Sequence, residues 1–419
     1  MSEREIEVLW VSEGGEGRAR VDGAVANFPD ALPGELLRVR REGRAWVVEA
    51  RLRASPDRVA PVCALYGRCG GCSMQHASPA LQARLRTDLV RRALPEPLRD
   101  KEIGYVPAPA REGWRQRARM RWRRDGARAS LGFLARGSDR VVDAPTCPVL
   151  VPALDAALAP LREALGAVAP SGEVALALGR GGAPVARISP SRVPDVAGYA
   201  AVEALAAQGF AGVALAVPGS TSLMRFGDPR VVVEGVDGAP LVAGVDGFAQ
   251  ANGAVNRLLA SHVVARADCA GRDVFEFHAG AGNLTVALAR AARRVTALES
   301  DADAVTSLRE NLAARGLSNV TARQQSDEAV TGPLRADVVV LDPPRTGARA
   351  VAENLAKHPP RRVVYVSCDP ATLGRDLATL SGAFALADVT AFEMFPHTLH
   401  VETVAVLERR PGAVLRSPR

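Results

Sequence analysis

Val274-Phe275-Glu276-Phe277-His278-Ala279-Gly280-Ala281-Gly282-Asn283 is a short β-branched and aromatic run that breaks into glycines and then opens a helix-forming stretch, 283–290. The run reads as a strand. The glycines after it let the backbone approach a ligand closely at a helix N-terminus, where N–H groups are free. Arg294-Val295-Thr296-Ala297-Leu298-Glu299 is the next strand, ending in an acid, with a helix expected over 302–314. Residues 320–323, 336–341 and 362–366 read as further strands. From about Leu241 onward this alternation predicts an α/β fold with a wound, largely parallel sheet. Two late strands, 385–392 and 401–407, are spaced to pair antiparallel.

Upstream the pattern differs. Residues 5–53 alternate short apolar runs with Gly and Pro turns, Pro33-Gly34-Glu35 among them, which suggests a small β-barrel of oligonucleotide-binding type. Ser55-Pro56-Asp57-Arg58 reads as a linker, followed by a cysteine-bearing segment, a helix over 79–94 and a Pro-rich connector over 95–109. Residues 113–238 are mostly strands, with helical intervals near 151–167 and 196–208. The expected organisation is a barrel over 1–57, a central β-rich domain over 58–240 and a wound-sheet domain over 241–419.

The formal net charge is +7, and its placement is informative. Residues 1–150 hold 27 Lys+Arg against 19 Asp+Glu, while the rest of the chain holds 26 against 27. The basic excess therefore sits at the front, as a polyanion-binding end would require. Arginine stands for lysine almost throughout, since only Lys101 and Lys357 are lysines, so arginine richness alone carries little weight. Every long apolar stretch is broken by a charge, which argues against a membrane span, and the charged N-terminus lacks the apolar core of a signal peptide. A cytoplasmic, monomeric protein is expected.

Three further motifs fall at or beside strand ends. Leu341-Asp342-Pro343-Pro344-Arg345 closes one strand; prolines terminate a ladder, and an acid held there faces the sheet edge where ligands bind. Tyr365-Val366-Ser367-Cys368-Asp369-Pro370 closes another, and a cysteine beside a helix N-terminus is expected to hold a stabilised thiolate. In Met394-Phe395-Pro396-His397-Thr398-Leu399-His400-Val401-Glu402, chemistry alone favours His397 or His400 as a base, with Glu402 second. Thr285 stands where a dinucleotide-binding loop wants a third small residue, so the glycine loop leans towards S-adenosylmethionine and away from nicotinamide.

Taken together, these segments resemble the RNA uracil-C5 methyltransferase family over nearly the whole chain. Ser367-Cys368-Asp369-Pro370-Ala371-Thr372-Leu373-Gly374-Arg375-Asp376 looks like the family's nucleophile segment, and Phe395-Pro396-His397-Thr398 with His400 and Glu402 looks like its general-base segment. Asp342-Pro343-Pro344-Arg345-Thr346-Gly347 is similar to its Asp-Pro-Pro-Arg motif, and Phe248-Ala249-Gln250-Ala251-Asn252 to its Phe-x-Gln-x-Asn strand. The resemblance implies S-adenosylmethionine as methyl donor, Cys368 as nucleophile and Glu402 as the base that removes the C5 proton. It also implies that Gln250, Glu299 and Asp342 line the cofactor and uracil pocket, with His278, Asn283 and Ser326 nearby. His278 replaces a usual aromatic, Ser326 a usual Asn or Asp, and Ala249 a frequent aromatic.

Six cysteines occur, and Cys63, Cys69, Cys72 and Cys147 form a grouped set. Their spacing alone suits zinc as well as a cluster. The resemblance makes the site a [4Fe–4S] cluster, because 63–72 looks like the family's cluster loop, and it makes the barrel a TRAM-type one. Arginines 115, 117, 119, 121 and 123 share one face of a strand by the period of two, with Trp114, Met120 and Trp122 on the other, so that face is expected to touch phosphates. The partner expected is a structured RNA, with rRNA favoured over tRNA because barrel and cluster occur together. A non-catalytic iron–sulfur RNA-binding protein and a nicotinamide-dependent reductase are the alternatives.

Overall fold

The computed structural model describes residues 3–126 and 128–412. Six strands come first: β1 (Glu3–Glu7), β2 (Trp10–Val11), β3 (Gly17–Val21), β4 (Ala24–Phe28), β5 (Leu36–Glu42) and β6 (Ala45–Arg53). They form two three-stranded sheets, ordered β1-β5-β6 and β2-β3-β4, around a core of Ile6, Val8, Ala19, Val21, Phe28, Leu37 and Val39. The quoted Pro33-Gly34-Glu35 has a structural reason. Gly34 takes φ 81°, where a side chain would be strained. Glu35 is fully buried and accepts hydrogen bonds from the backbone N–H of Leu32 and Ser55 and from the Arg51 and Arg58 guanidiniums. Burial would raise its pKa, but Arg58 and the two N–H groups hold the carboxyl below its usual value. One carboxylate thus fastens the module to the segment that follows.

Helix α1 (Pro79–Ala93) starts with proline in its first turn, and the Ser78 hydroxyl caps it by accepting from Leu81 N–H. Strand β7 (Gly104–Val106) follows. A seven-stranded sheet, ordered β10-β9-β8-β11-β12-β13-β14, is built from β8 (Arg117–Asp125), β9 (Arg128–Leu134), β10 (Val141–Asp143), β11 (Ser171–Leu178), β12 (Pro184–Pro190), β13 (Gly212–Leu215) and β14 (Met224–Gly227). Between them come α2 (Pro152–Ala156), α3 (Leu158–Val168) and α4 (Val196–Ala204). Leu158, Leu161, Leu165 and Val202 of α3 and α4 cover Ala118, Met120, Trp122, Val174 and Leu176 of this sheet. The hairpin β15 (Val231–Glu234) and β16 (Pro240–Ala243) leads out of it.

The C-terminal sheet contains β17 (Asp273–Phe277), β18 (Arg294–Glu299), β19 (Val320–Gln324), β20 (Val338–Leu341), β21 (Arg362–Ser367), β22 (Phe384–Phe392) and β23 (Glu402–Arg409). Its order is β19-β18-β17-β20-β21-β23-β22-β7. Strands β17 to β21 are parallel, and β23 runs antiparallel to both β21 and β22. Helices α5 (Gly253–Ala267), α6 (Asn283–Ala289) and α7 (Ala302–Ala313) cover one face, and α8 (Arg349–Lys357), α9 (Pro370–Leu380) and α1 the other. Early chain thus completes a late sheet: β7 pairs with β22, and the end of α1 packs on α9 so tightly that a Cβ on Gly374 would overlap the Ala93 carbonyl. Among the described residues no helix is long and apolar enough to cross a membrane.

Two expectations need correction. Residues 248–252 form a loop and no strand, apart from an isolated bridge of Asn252 to Arg115; Asn252 ends the loop as the cap of α5, accepting from Val255 N–H. The five-arginine face is also smaller than the spacing suggests. Arg115 and Trp114 precede β8, whose regular pleat starts at Arg117, so their side chains escape the alternation. Arg115 turns inward over the Phe133 ring, Arg117 donates to the Gly247 carbonyl, and only Arg119, Arg121 and Arg123 are exposed.

Candidate active site

Strands β17, β18, β20 and β21 end together at Phe277, Glu299, Leu341 and Ser367, so the residues closing or following them share one edge of the sheet. Strand order reverses between β17 and β20, which opens a crevice there. A cavity of about 520 Å³ occupies it, faced by Gln250, His278, Asn283, Glu299, Asp342, Cys368 and Glu402. That volume suits a small-molecule site. Ser326 is the exception among the residues expected here. It is exposed at the start of a short turn and does not line the cavity, and its neighbour Asp327 is the one that approaches His278 Nε2, at 3.5 Å.

Cys368 and Glu402 come together through strand register. Ser367 of β21 pairs with Thr403 of β23, and the next facing positions are 368 and 402. Glu402 is buried, with one carboxyl oxygen lacking a hydrogen-bond partner among the described residues. Burial raises its pKa well above the carboxylate range, the nearby Asp342 raises it further, and Arg345 opposes. Asp342 is raised by burial as well. The expectation of a stabilised thiolate is not met. Burial pushes the Cys368 thiol up to about 11, the Glu402 and Asp342 charges add to this, and Arg345 offsets only part. The α9 N-terminus gives limited help because its Thr372 N–H is taken by the Asp369 carboxylate cap.

Polar contacts, most of them buried, hold these segments in place. Asp376 accepts from the Tyr365 hydroxyl at 2.7 Å and from Ala348 N–H at 2.8 Å, and Arg375 donates to the Thr346 carbonyl at 3.0 Å. The Arg375-Asp376 pair thereby fixes the 342–348 turn against α9. Gly347, at φ 74°, is where any side chain would strike both residues. On the other side, Arg86 of α1 is fully buried against Glu393 at 2.9 Å and donates to the carbonyls of Phe395 and Thr398. Arg111 also pairs with Glu393.

The two histidines diverge. His397 takes φ 67°, and its ring faces neither cavity that holds Cys368. Its backbone is the useful part: the carbonyl accepts from Ser73 and Met74 N–H at 3.0 and 2.9 Å, and its N–H donates to Gln82. Burial, then the Arg111 charge, lowers its ring to about 4, so it stays neutral. His400 lines a second opening beside Cys368. The carboxylate at 402, and neither imidazole, faces the main cavity.

The glycine-loop side is pre-ordered. The Glu299 carboxylate accepts from the N–H of Gly280, Ser300 and Asp301 at 2.9, 2.7 and 2.9 Å. Asn283 exchanges two 2.8 Å hydrogen bonds with Asn256 of α5. Asn311 donates to the carbonyls of Val242 and Ala281, tying the β15–β16 hairpin to the loop. Sequence reading missed Asn256 and Glu276. Glu276 lines the cavity from inside β17, where burial pushes its pKa up to about 8, so it is protonated at neutral pH. An acid amid Val274-Phe275-Glu276-Phe277 was the available signal.

Cys63, Cys69, Cys72 and Cys147 line a separate cavity together with Arg115, Phe133 and Val149. Burial raises the thiols of Cys69, Cys72 and Cys147, the last to about 11.

A parallel sheet reversing at a glycine loop, extended by an antiparallel pair, defines the class I S-adenosylmethionine-dependent methyltransferase fold. Its match to the solved Pyrococcus abyssi tRNA (uracil-54, C5)-methyltransferase covers 96% of this chain and 100% of that one, with TM-score 0.75 at 23% identity. Residues 332–410 match the family model described as tRNA (Uracil-5-)-methyltransferase. The 23S rRNA (uracil(1939)-C(5))-methyltransferase of Edwardsiella ictaluri is 35% identical, over 94% of this chain and 93% of the relative. That of Chromohalobacter salexigens is 36% identical over 96% and 89%. The chain belongs to the RNA uracil-C5 methyltransferase family.

Alkylation of Cys368 by iodoacetamide, followed by mass spectrometry of its peptide, should rise with pH towards about 11. Glu402→Gln removes a charge that opposes ionisation and should move the midpoint down; Arg345→Gln removes the favourable one and should move it up. A wild-type midpoint near the free-cysteine value of about 8.5, unmoved by either change, would contradict this electrostatic picture.

Proposed function

We propose that this chain methylates C5 of a uridine in 23S rRNA, with Cys368 as covalent nucleophile and Glu402 as base. The observation that carries the reading is the facing of Cys368 and Glu402 across β21 and β23, over a cavity whose other wall is the glycine loop. Substrate choice rests on relatives. The model naming tRNA spans only residues 332–410, whereas the 23S rRNA enzymes align with nearly the whole chain.

C5 of uracil is a poor nucleophile. Once the Cys368 thiol has given its proton to solvent, addition of the thiolate to C6 moves the ring electrons onto C5 and O4 and makes C5 carbanion-like. S-adenosylmethionine, when bound, supplies an electrophilic methyl group. Glu402 then takes the C5 proton, the C5=C6 bond re-forms and the sulfur leaves. A raised pKa makes Glu402 a stronger base once ionised. A hydrogen bond from base or cofactor to Asp342 disperses that carboxylate's charge and eases ionisation of Cys368. Gln250, His278, Asn283 and Glu299 line the cofactor side, and Ser326 acts only through the turn that presents Asp327.

The four-cysteine cavity is read as a [4Fe–4S] site. Buried neighbouring thiols cannot all ionise without a compensating cation, and Arg115 balances the negative charge of a thiolate-bound cluster. Among the described residues no three metal-binding side chains converge closely enough to hold an ion, so the cluster reading rests on the cavity the four cysteines share and on the resemblance of 63–72 to the family's cluster loop. The N-terminal sheets serve as a TRAM-type RNA-binding barrel in a chain read in three parts, 1–57, 58–240 and 241–419, with α1 and β7 of the middle part joined to the C-terminal sheet. Arg119, Arg121 and Arg123 face phosphates, although Glu173 on β11 neutralises part of that face.

Glu402→Gln should arrest the reaction after methyl transfer, leaving methylated RNA joined to Cys368. A denaturing gel with labelled RNA should show a slow band for Glu402→Gln and none for Cys368→Ala, and turnover should fall by roughly 10²–10⁴-fold. Normal turnover by Glu402→Gln would remove it from the role of base. Protein purified without oxygen should be brown and carry about four irons per chain, and Cys63→Ser should lose them. Stoichiometric zinc without labile sulfide would overturn the cluster.

A further inference from the structure

Cys368 can be reached from a second side. A cavity of about 300 Å³ opens between α1, the N-terminal module at Glu13, the start of α9 and the 399–401 segment, and Cys368 and Arg345 line both it and the main cavity. The glycine loop faces only the main one. The nucleophile therefore stands between a space walled by the cofactor loop and a space walled by α1.

Two arginines, Arg92 and Arg345, line this second space without a hydrogen bond or ion pair among the described residues. On α1, Arg84 is ion-paired with Asp57, Arg86 with Glu393 and Arg91 with Asp88. Among the described residues no hydrogen bond or ion pair engages the side chain of Arg92, in the last turn of that helix, or of Arg345. The other titratable groups facing the cavity are few. Asp369 accepts from Thr372 N–H as the cap of α9, desolvation and the Arg345 charge lower the His400 pKa, and Glu13 is the remaining acid that lines the space. Leu89 and Leu399 supply an apolar wall. Two cations lining one cavity with an apolar wall and a nucleophile match a nucleotide, whose charge lies on its phosphodiester and whose base and sugar can pack on aliphatic groups.

We infer that this second cavity holds the nucleotide next to the target uridine in a single-stranded RNA segment, with its phosphodiester between Arg92 and Arg345. The inference rests on the reading of Cys368 as the nucleophile towards a uridine. A base turned out of its stack brings its backbone along, and the main cavity is committed to the cofactor on its glycine side. The strand then lies along α1, and Arg92 acts as a substrate-positioning residue.

The full-length protein, an RNA stem–loop with one target uridine and its 5-fluorouridine analogue test this. Arg92→Ala should raise KM for RNA about tenfold, as loss of one charged hydrogen bond would, with kcat changed less than about twofold. Its log-affinity against log-salt slope should become shallower by about 0.7, the value for one phosphate contact on a single strand. Arg92→Lys should restore most of KM and slope. An unchanged KM and slope in Arg92→Ala, or failure of lysine to rescue, would overturn the assignment. Wild-type adduct formation on the 5-fluorouridine RNA separates the two levels. With an adduct and an indifferent Arg92, only the groove fails; with no wild-type adduct, the catalytic reading fails and takes the groove with it.

Discussion

The buried ion pair between Arg86 and Glu393 is the contact on which the geometry of the base depends. Both side chains are almost fully enclosed, and taking two charges out of water costs several kcal/mol per ion. The cost is offset because Arg86 also reaches the Tyr105 hydroxyl and the carbonyls of Phe395 and Thr398, while Glu393 also accepts from Ala108 N–H and Arg111. An apolar pair of the same volume could be as stable, but it could not dictate where each carbonyl of the 393–400 segment lies. The network secures the position of that segment, and Glu402 begins the strand that follows it.

A second set of contacts brings the cysteine-bearing segment to the same place. Ser73 and Met74, just after Cys72, donate to the His397 carbonyl, and Gln82 accepts from His397 N–H while donating to the Met74 carbonyl. Trp114, next to Arg115 at the cysteine cavity, meets Phe395 edge-on at 6.1 Å. On the opposite flank, Asp376 and Arg375 lock the Asp342 turn to the helix after Cys368. Nucleophile, base and Asp342 therefore ride on three separate segments, each tied down by buried polar groups that lie outside the cavity.

Much of this was legible in the sequence, for identifiable reasons. Strands buried on both faces read as continuous apolar runs, so 294–299 and 362–366 were readable to within a residue, and the motifs at their ends marked the sheet edge. Local alternation failed where tertiary contacts override it. Arg115 lies outside the regular pleat and is drawn into the cysteine cavity, and 248–252 is a loop joined to the segment before β8 by the Asn252–Arg115 bridge. The placement of β7 beside β22, nearly three hundred residues away, leaves no local trace. Nor does the protonation of Glu276 or the high thiol pKa of Cys368, since both follow from burial and neighbouring charges that only the assembled fold supplies.

The raised Cys368 and Glu402 pKa values share one physical cause, burial beside the Asp342 carboxylate, and the chemistry they serve is exchange of the C5 hydrogen for a methyl group. Uridine labelled with tritium at C5 reports this chemistry directly. Incubating such an RNA with the protein and S-adenosylmethionine should release one tritium to water for each methyl group gained. Methyl transfer without matching tritium release would place the methyl group elsewhere than C5 and contradict the account.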